Sequence, residues 1–142
     1  MQNLSFSWLS EQIVRENSDA IMFSDKEGNI RLWNKGAEAM FGYSAAEAEG
    51  KSLDIIIPEN LRGKHWEGYH KVMASGVTRY GSELLAVPGI RKDGTRLSLE
   101  FSMVIVKGED GTILGTGAVI RDITARFQRE KALKDRLKAL EG

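Results

Sequence analysis

Both histidines of the chain lie in one short stretch, Lys64-His65-Trp66-Glu67-Gly68-Tyr69-His70, which invites a metal-hydrolase reading. Helix geometry argues against it. Two histidines that share a zinc ion from one helix stand four residues apart, about 40° around the axis, whereas His65 and His70 are five apart and diverge by about 140°. With His65 set at zero, Leu61, Gly68, Tyr69, Val72 and Gly76 fall within about 60° of it, so its imidazole belongs to a mostly apolar stripe. His70 points to the flank with Trp66 and Met73. A single inward imidazole can be the fifth ligand to haem iron, which asks for one neutral nitrogen, an apolar slot for the macrocycle and cations for the propionates. Lys71 and Arg79 are the candidate cations. A hydrogen-bonded core histidine leaves the same trace in a sequence.

Other chemistry is thinly represented. Absence of cysteine excludes disulfides, thiolate nucleophiles, zinc ribbons, iron–sulfur clusters and any chromophore held by a thiol. No Gly-x-Ser-x-Gly elbow is present, and Gly115-Thr116-Gly117 falls inside a strand-like run, where glycines allow close packing rather than phosphate binding. The chain is therefore not expected to be an enzyme. Twenty basic residues balance twenty acidic ones, so no net field draws it to nucleic acid or to an anionic membrane. Apolar runs such as Ile55-Ile56-Ile57 are far shorter than the ~20 residues of a membrane-spanning helix, and Met1-Gln2-Asn3 lacks the basic start of a secretory signal. A cytoplasmic location is expected. The 142 residues, 42% hydrophobic and 28% charged, suit one folded domain.

The elements that must position His65 are legible from patterning. Leu9 and Ile13, with Phe6 and Val14 nearby, mark an amphipathic helix over Leu4 to Glu16. Ala20 to Ser24 and Ile30 to Trp33 read as an antiparallel hairpin around Lys26-Glu27-Gly28-Asn29. Asn34 is a good N-cap for a helix over Lys35 to Phe41 that Gly42 would stop, and Ser44-Ala45-Ala46-Glu47 is a capping box whose helix Gly50 would end. Pro58 suits the start of a longer helix running to about Ala74 and closed by Gly76. Three strand-like runs follow, Arg79 to Arg91, Leu97 to Lys107 and Ile113 to Arg121, separated by Asp93-Gly94 and Asp110-Gly111 turns. A charged tail, Thr124 to Leu140, carries Leu133, Leu137 and Leu140 at coiled-coil spacing. Asp122 and Arg126, four apart, would form a helix-starting ion pair.

Five marks occur in order along this framework: Asp25-Lys26-Glu27-Gly28-Asn29-Ile30 before Trp33-Asn34, Ala37 to Ser44, Glu47-Ala48-Glu49-Gly50-Lys51, Arg91-Lys92-Asp93-Gly94-Thr95, and Arg121-Asp122-Ile123-Thr124. Over roughly residues 11–124 the chain resembles the PAS sensory domain family. The resemblance implies an α+β fold, a five-stranded antiparallel sheet with helices packed on one face and a pocket between them. The domain would span 18–123, with flanking helices over 1–17 and 124–142. From His65 through Gly94 the chain is similar to the haem-binding PAS domains of bacterial oxygen-sensing kinases. That similarity implies His65 as ligand to the iron of haem b and Lys71 and Arg79 at the propionates, with Tyr69 and Leu61 lining the site. Leu85 stands where that subgroup carries an oxygen-binding Arg, so the similarity does not extend to oxygen.

The function so implied is a sensory domain of a bacterial signal-transduction protein, working in gas or redox sensing and relaying through its C-terminal helix. Its output domain would lie on a longer parent chain or a partner. Two alternatives stay open. One is a dimerisation or interaction module with no cofactor, and a homodimer through the N- and C-terminal helices is expected on either account. The other is a redox sensor holding non-covalent flavin (FAD), with Trp33, Asn34 or Tyr80 in contact. Met22, Met40, Met73 and Met103 are packing residues first.

Overall fold

The structure, a computed structural model, describes residues 1–78 and 85–141. Helix α1 covers Phe6–Glu16, and strands β1 (Ala20–Asp25) and β2 (Ile30–Trp33) form the expected hairpin. Helices α2 (Lys35–Phe41) and α3 (Ala45–Ala48) follow, then two 3-10 turns, Leu53–Ile56 and Glu59–Leu61, and helix α4 (Arg62–Ser75). Strands β3 (Leu85–Ile90), β4 (Arg96–Lys107) and β5 (Ile113–Asp122) lead into α5 (Thr124–Glu141). The five strands form one antiparallel sheet in the order β2-β1-β5-β4-β3, the α+β arrangement expected. Among the described residues no helix is long and apolar enough to cross a membrane.

Local chemistry explains the boundaries. Ser5 Oγ accepts from Trp8 N, so α1 starts two residues after Leu4. Asn34 and Ser44 cap α2 and α3 as anticipated, and Gly42 and Gly76 close α2 and α4 in the left-handed conformation. The helix expected from Pro58 begins later: Pro58 is extended and fully buried, the chain makes a 3-10 turn after it, and α4 starts at Arg62. The expected strand from Arg79 is described only from Leu85 on; Arg79 and Tyr80 lie outside the described residues.

One face of the sheet carries the core. Ala20, Met22 and Ser24 of β1 are buried in alternation, as are Leu97 and Leu99 of β4 and Ile120 of β5. Beneath α2 this core is solid, with the Trp33 and Phe41 rings 5.6 Å apart and Trp33 Nε1 donating to Tyr43 O. Gly115 is explained by the sheet: a Cβ there would stand 2.0 Å from Ser24 O, so a side chain would push β5 off β1.

The exit from the sheet is tightly joined. Ile123 N donates to Ser98 O, and Ser98 N donates to Thr124 Oγ1. The expected Asp122–Arg126 pair does not form. Asp122 instead accepts from Thr124 N at the start of α5, which leaves Arg126 to pair with Glu100 on β4 at 2.7 Å. α5 buries none of its residues, and Leu133 and Leu137 are each 58% exposed. α1 likewise buries none, leaving Phe6, Leu9 and Ile13 to solvent.

Candidate functional site

Between α4 and the sheet lies a cavity of about 560 Å³. Its roof is the stripe singled out by spacing: Leu61, His65, Gly68, Tyr69 and Val72, with Lys64 beside them. Leu99, Phe101 and Met103 of β4, Ala118 and Ile120 of β5, and Met22 of β1 form the floor. The 3-10 turn after α3 supplies Leu53 and Ile56 as one wall, and Val87 and Pro88 of β3 supply the other. The hollow is apolar except where α4 enters it.

His65 is that exception. Its ring lies 4.7 Å from Trp66, edge to face, and 5.8 Å from Tyr69. Its Nδ1 is buried and has no hydrogen-bond partner among the described residues. Burial holds the imidazole pKa below its ordinary value, outweighing the opposite pull of the Asp54 carboxylate. The ring is therefore neutral at pH 7, with an unprotonated nitrogen. His70 stays on the exposed flank, its ring stacked at 6.1 Å from Trp66. Among the described residues no three His, Cys, Asp or Glu side chains form a metal cluster.

Two aromatic side chains flank His65 and fix its helix. Trp66, placed by its spacing on the flank, is only partly exposed: its Nε1 donates to Asp54 Oδ1 at 2.7 Å, and its ring covers Gly28 in the hairpin turn. A Cβ on Gly28 would stand 2.1 Å from Trp66 Cη2, and the backbone there has a φ of +81°, so only glycine suits both demands. Tyr69 is buried, and its hydroxyl donates to Asp25 O and meets Ser24 Oγ at 3.0 Å. Burial raises the phenol pKa, which keeps that proton in place.

The remaining residues expected at the site divide. Lys71 does not reach the cavity; it is exposed and lies 3.7 Å from Glu67 one turn back. Lys64 takes the lining position instead. Arg79 lies outside the described residues, and Leu85 enters as the first backbone position of β3, opposite Phe101. Trp33 and Asn34 are core residues away from the cavity, with their polar atoms engaged by protein, so neither is placed to touch a flavin there. Sequence reasoning missed Ser24, Thr116 and Lys64. Ser24 and Thr116 gave no signal, since each sits singly in an apolar strand.

Residues 18–125 match a family described as PAS domain. The chain is 30% identical over 87% of its length to a sensor protein FixL of Bradyrhizobium diazoefficiens, and 29% identical over 91% to a cell-division control histidine kinase PdhS of Brucella ovis. It spans 24% of the first and 12% of the second. A PAS domain of a protein from Colwellia psychrerythraea superposes with a TM-score of 0.75 at 24% identity, covering 85% of this chain and 99% of that one.

Proposed function

This chain belongs to the PAS domain family, and on that footing we propose that it is the sensory module of a longer signalling protein, taking haem b in the cavity through His65 and relaying its state through α5. One observation carries the proposal: a neutral imidazole, its Nδ1 buried without a partner among the described residues, lines an apolar hollow of about 560 Å³. A buried polar atom without a partner is costly, on the order of 1–3 kcal/mol, and is retained where something else satisfies it. His65 would hold the iron, and Lys64 would face a propionate in place of Lys71. When bound, the group supplies a site for a diatomic gas or for one-electron redox change. The protein supplies the neutral nitrogen, the apolar walls and the exclusion of water. Leu85 argues for a stimulus other than oxygen.

Reconstitution with hemin tests this. A Soret band is expected in the wild-type protein and is lost in His65→Ala; no band in the wild type overturns it. A flavin would show itself in the same visible spectrum as a yellow protein before any hemin is added.

A second reading, an interaction module that binds no cofactor, draws on the flanking helices. Phe6, Leu9 and Ile13 of α1 and Leu133, Leu137 and Leu140 of α5 are exposed apolar rows that one chain leaves uncovered. A homodimer through both helices would cover them. Sedimentation before and after removal of the first sixteen residues checks this, and a monomer at both lengths would sink the dimer.

A further inference from the structure

The geometry points to Tyr69 as the positioning residue that couples the cavity helix to the strand leading out of the domain, through a buried chain of three hydroxyls. Tyr69, one turn after His65 on α4, places its hydroxyl 2.5 Å from Asp25 O and 3.0 Å from Ser24 Oγ on β1. Ser24 Oγ in turn lies 3.3 Å from Thr116 Oγ1 on β5. All three side chains are no more than 5% exposed, so water does not substitute for a broken link. Six residues after Thr116, β5 ends at Asp122 and α5 begins.

The order of protons along the chain is fixed at one end. A tyrosine hydroxyl has one proton to give, and here it goes to the Asp25 carbonyl. Ser24 therefore donates to Tyr69, and Thr116 donates to Ser24. A second acceptor lies beside the first, since Ser24 O stands 3.4 Å from the same hydroxyl. The proton can serve one carbonyl or the other, and a small slide of α4 along β1 exchanges them. Exchange of acceptors gives two discrete arrangements, which a coupled element needs if it is to switch rather than bend. Each arrangement sets a different position for Ser24 and so for Thr116. Apolar packing between α4 and the floor has no such alternatives.

The role in signalling rests on α4 being the ligand-bearing helix, but the coupling is a property of the whole chain without any ligand, and it is tested there. Native-state hydrogen exchange on wild type and Tyr69→Phe keeps the ring and removes only the hydroxyl. Expected is a roughly tenfold faster exchange of the β1 and β5 amides near Ser24 and Thr116, reaching Ile123, with the α2 amides unchanged. An effect confined to α4, or spread equally over α2, overturns the proposal. A double-mutant cycle between Tyr69→Phe and Thr116→Val gives an independent readout: non-additivity of about threefold or more in the unfolding equilibrium is expected, and simple additivity overturns it. With hemin added, Thr116→Val, which lies outside the cavity lining, should keep its Soret band while exchange in β5 no longer responds to loading. Absence of the band in wild type would defeat the haem proposal and leave the ligand-free measurements to decide the coupling.

Discussion

Asn34 and His65 are both inward polar residues on this fold, and their surroundings are opposite. Asn34 Oδ1 accepts from Ile21 N and Ala37 N, and its Nδ2 donates to the carbonyls of Val14, Asn17 and Asp19. One side chain thus ties the end of α1, the start of β1 and the first turn of α2 together over a solid core. His65 lines a hollow, and its Nδ1 has no partner among the described residues. The difference separates two uses of buried polarity. Where every donor and acceptor is matched within the chain, the residue holds the fold. Where a ring lines a hollow and its covered nitrogen goes unmatched, the residue is kept at the expense of stability, and the cavity side of the ring is available to something from outside.

Substitutions that treat the two sites alike should part them. Asn34→Ala removes a cap and leaves several backbone groups unpaired, so unfolding in urea should show a loss of about 3 kcal/mol or more. An equal loss in His65→Ala would erase the distinction. Adding volume gives the next largest contrast. Ala37 is 0% exposed, and Ala37→Leu should cost about 1–3 kcal/mol by overpacking. Ala118→Leu projects into the cavity and should raise stability by about 1 kcal/mol by burying new apolar surface while blocking any occupant. Loss of stability in both would mean that the hollow has no room.

His65→Leu should be neutral or gain about 1 kcal/mol, since it removes a buried polar atom without a partner. A pH series sharpens the same point with a smaller effect. Because burial lowers the His65 pKa from an ordinary 6.5, the unfolded chain binds the proton more readily than the folded one. Stability is then fully present above about pH 6.5 and falls as pH drops through that value toward the folded pKa. The slope there should diminish in His65→Leu, and an unchanged slope would assign it to other groups.

Much of the frame was legible because it depends on neighbours in the chain. Asn34, Ser44, Gly42 and Gly76 act within one helical turn, and the structure uses each as a cap. The inward turn of His65 follows from angles alone. Those angles failed on the cation. Lys64 and Lys71 both stand roughly 100–120° from His65 around the axis, yet only Lys64 lines the cavity. Neither angle nor axial position decides it, since the lining runs past Lys71 to Val72; the Lys71 side chain lies along the exposed surface beside Glu67. Asp122 shows a similar limit: spacing allowed the pair with Arg126, but Glu100 on the neighbouring strand offered Arg126 a closer partner.

By itself the sequence determined the order of helices and strands, their caps and turns, and the side of α4 that carries the imidazole, since all of these are set by interactions within a few residues. Only the tertiary structure decided that a hollow lies under His65, that Asn34 serves three segments, and that Ser24 and Thr116 meet Tyr69. The space between two layers is a sum over side chains from distant strands. A hydroxyl finds its partner across 45 or 92 residues of chain only when the sheet has formed.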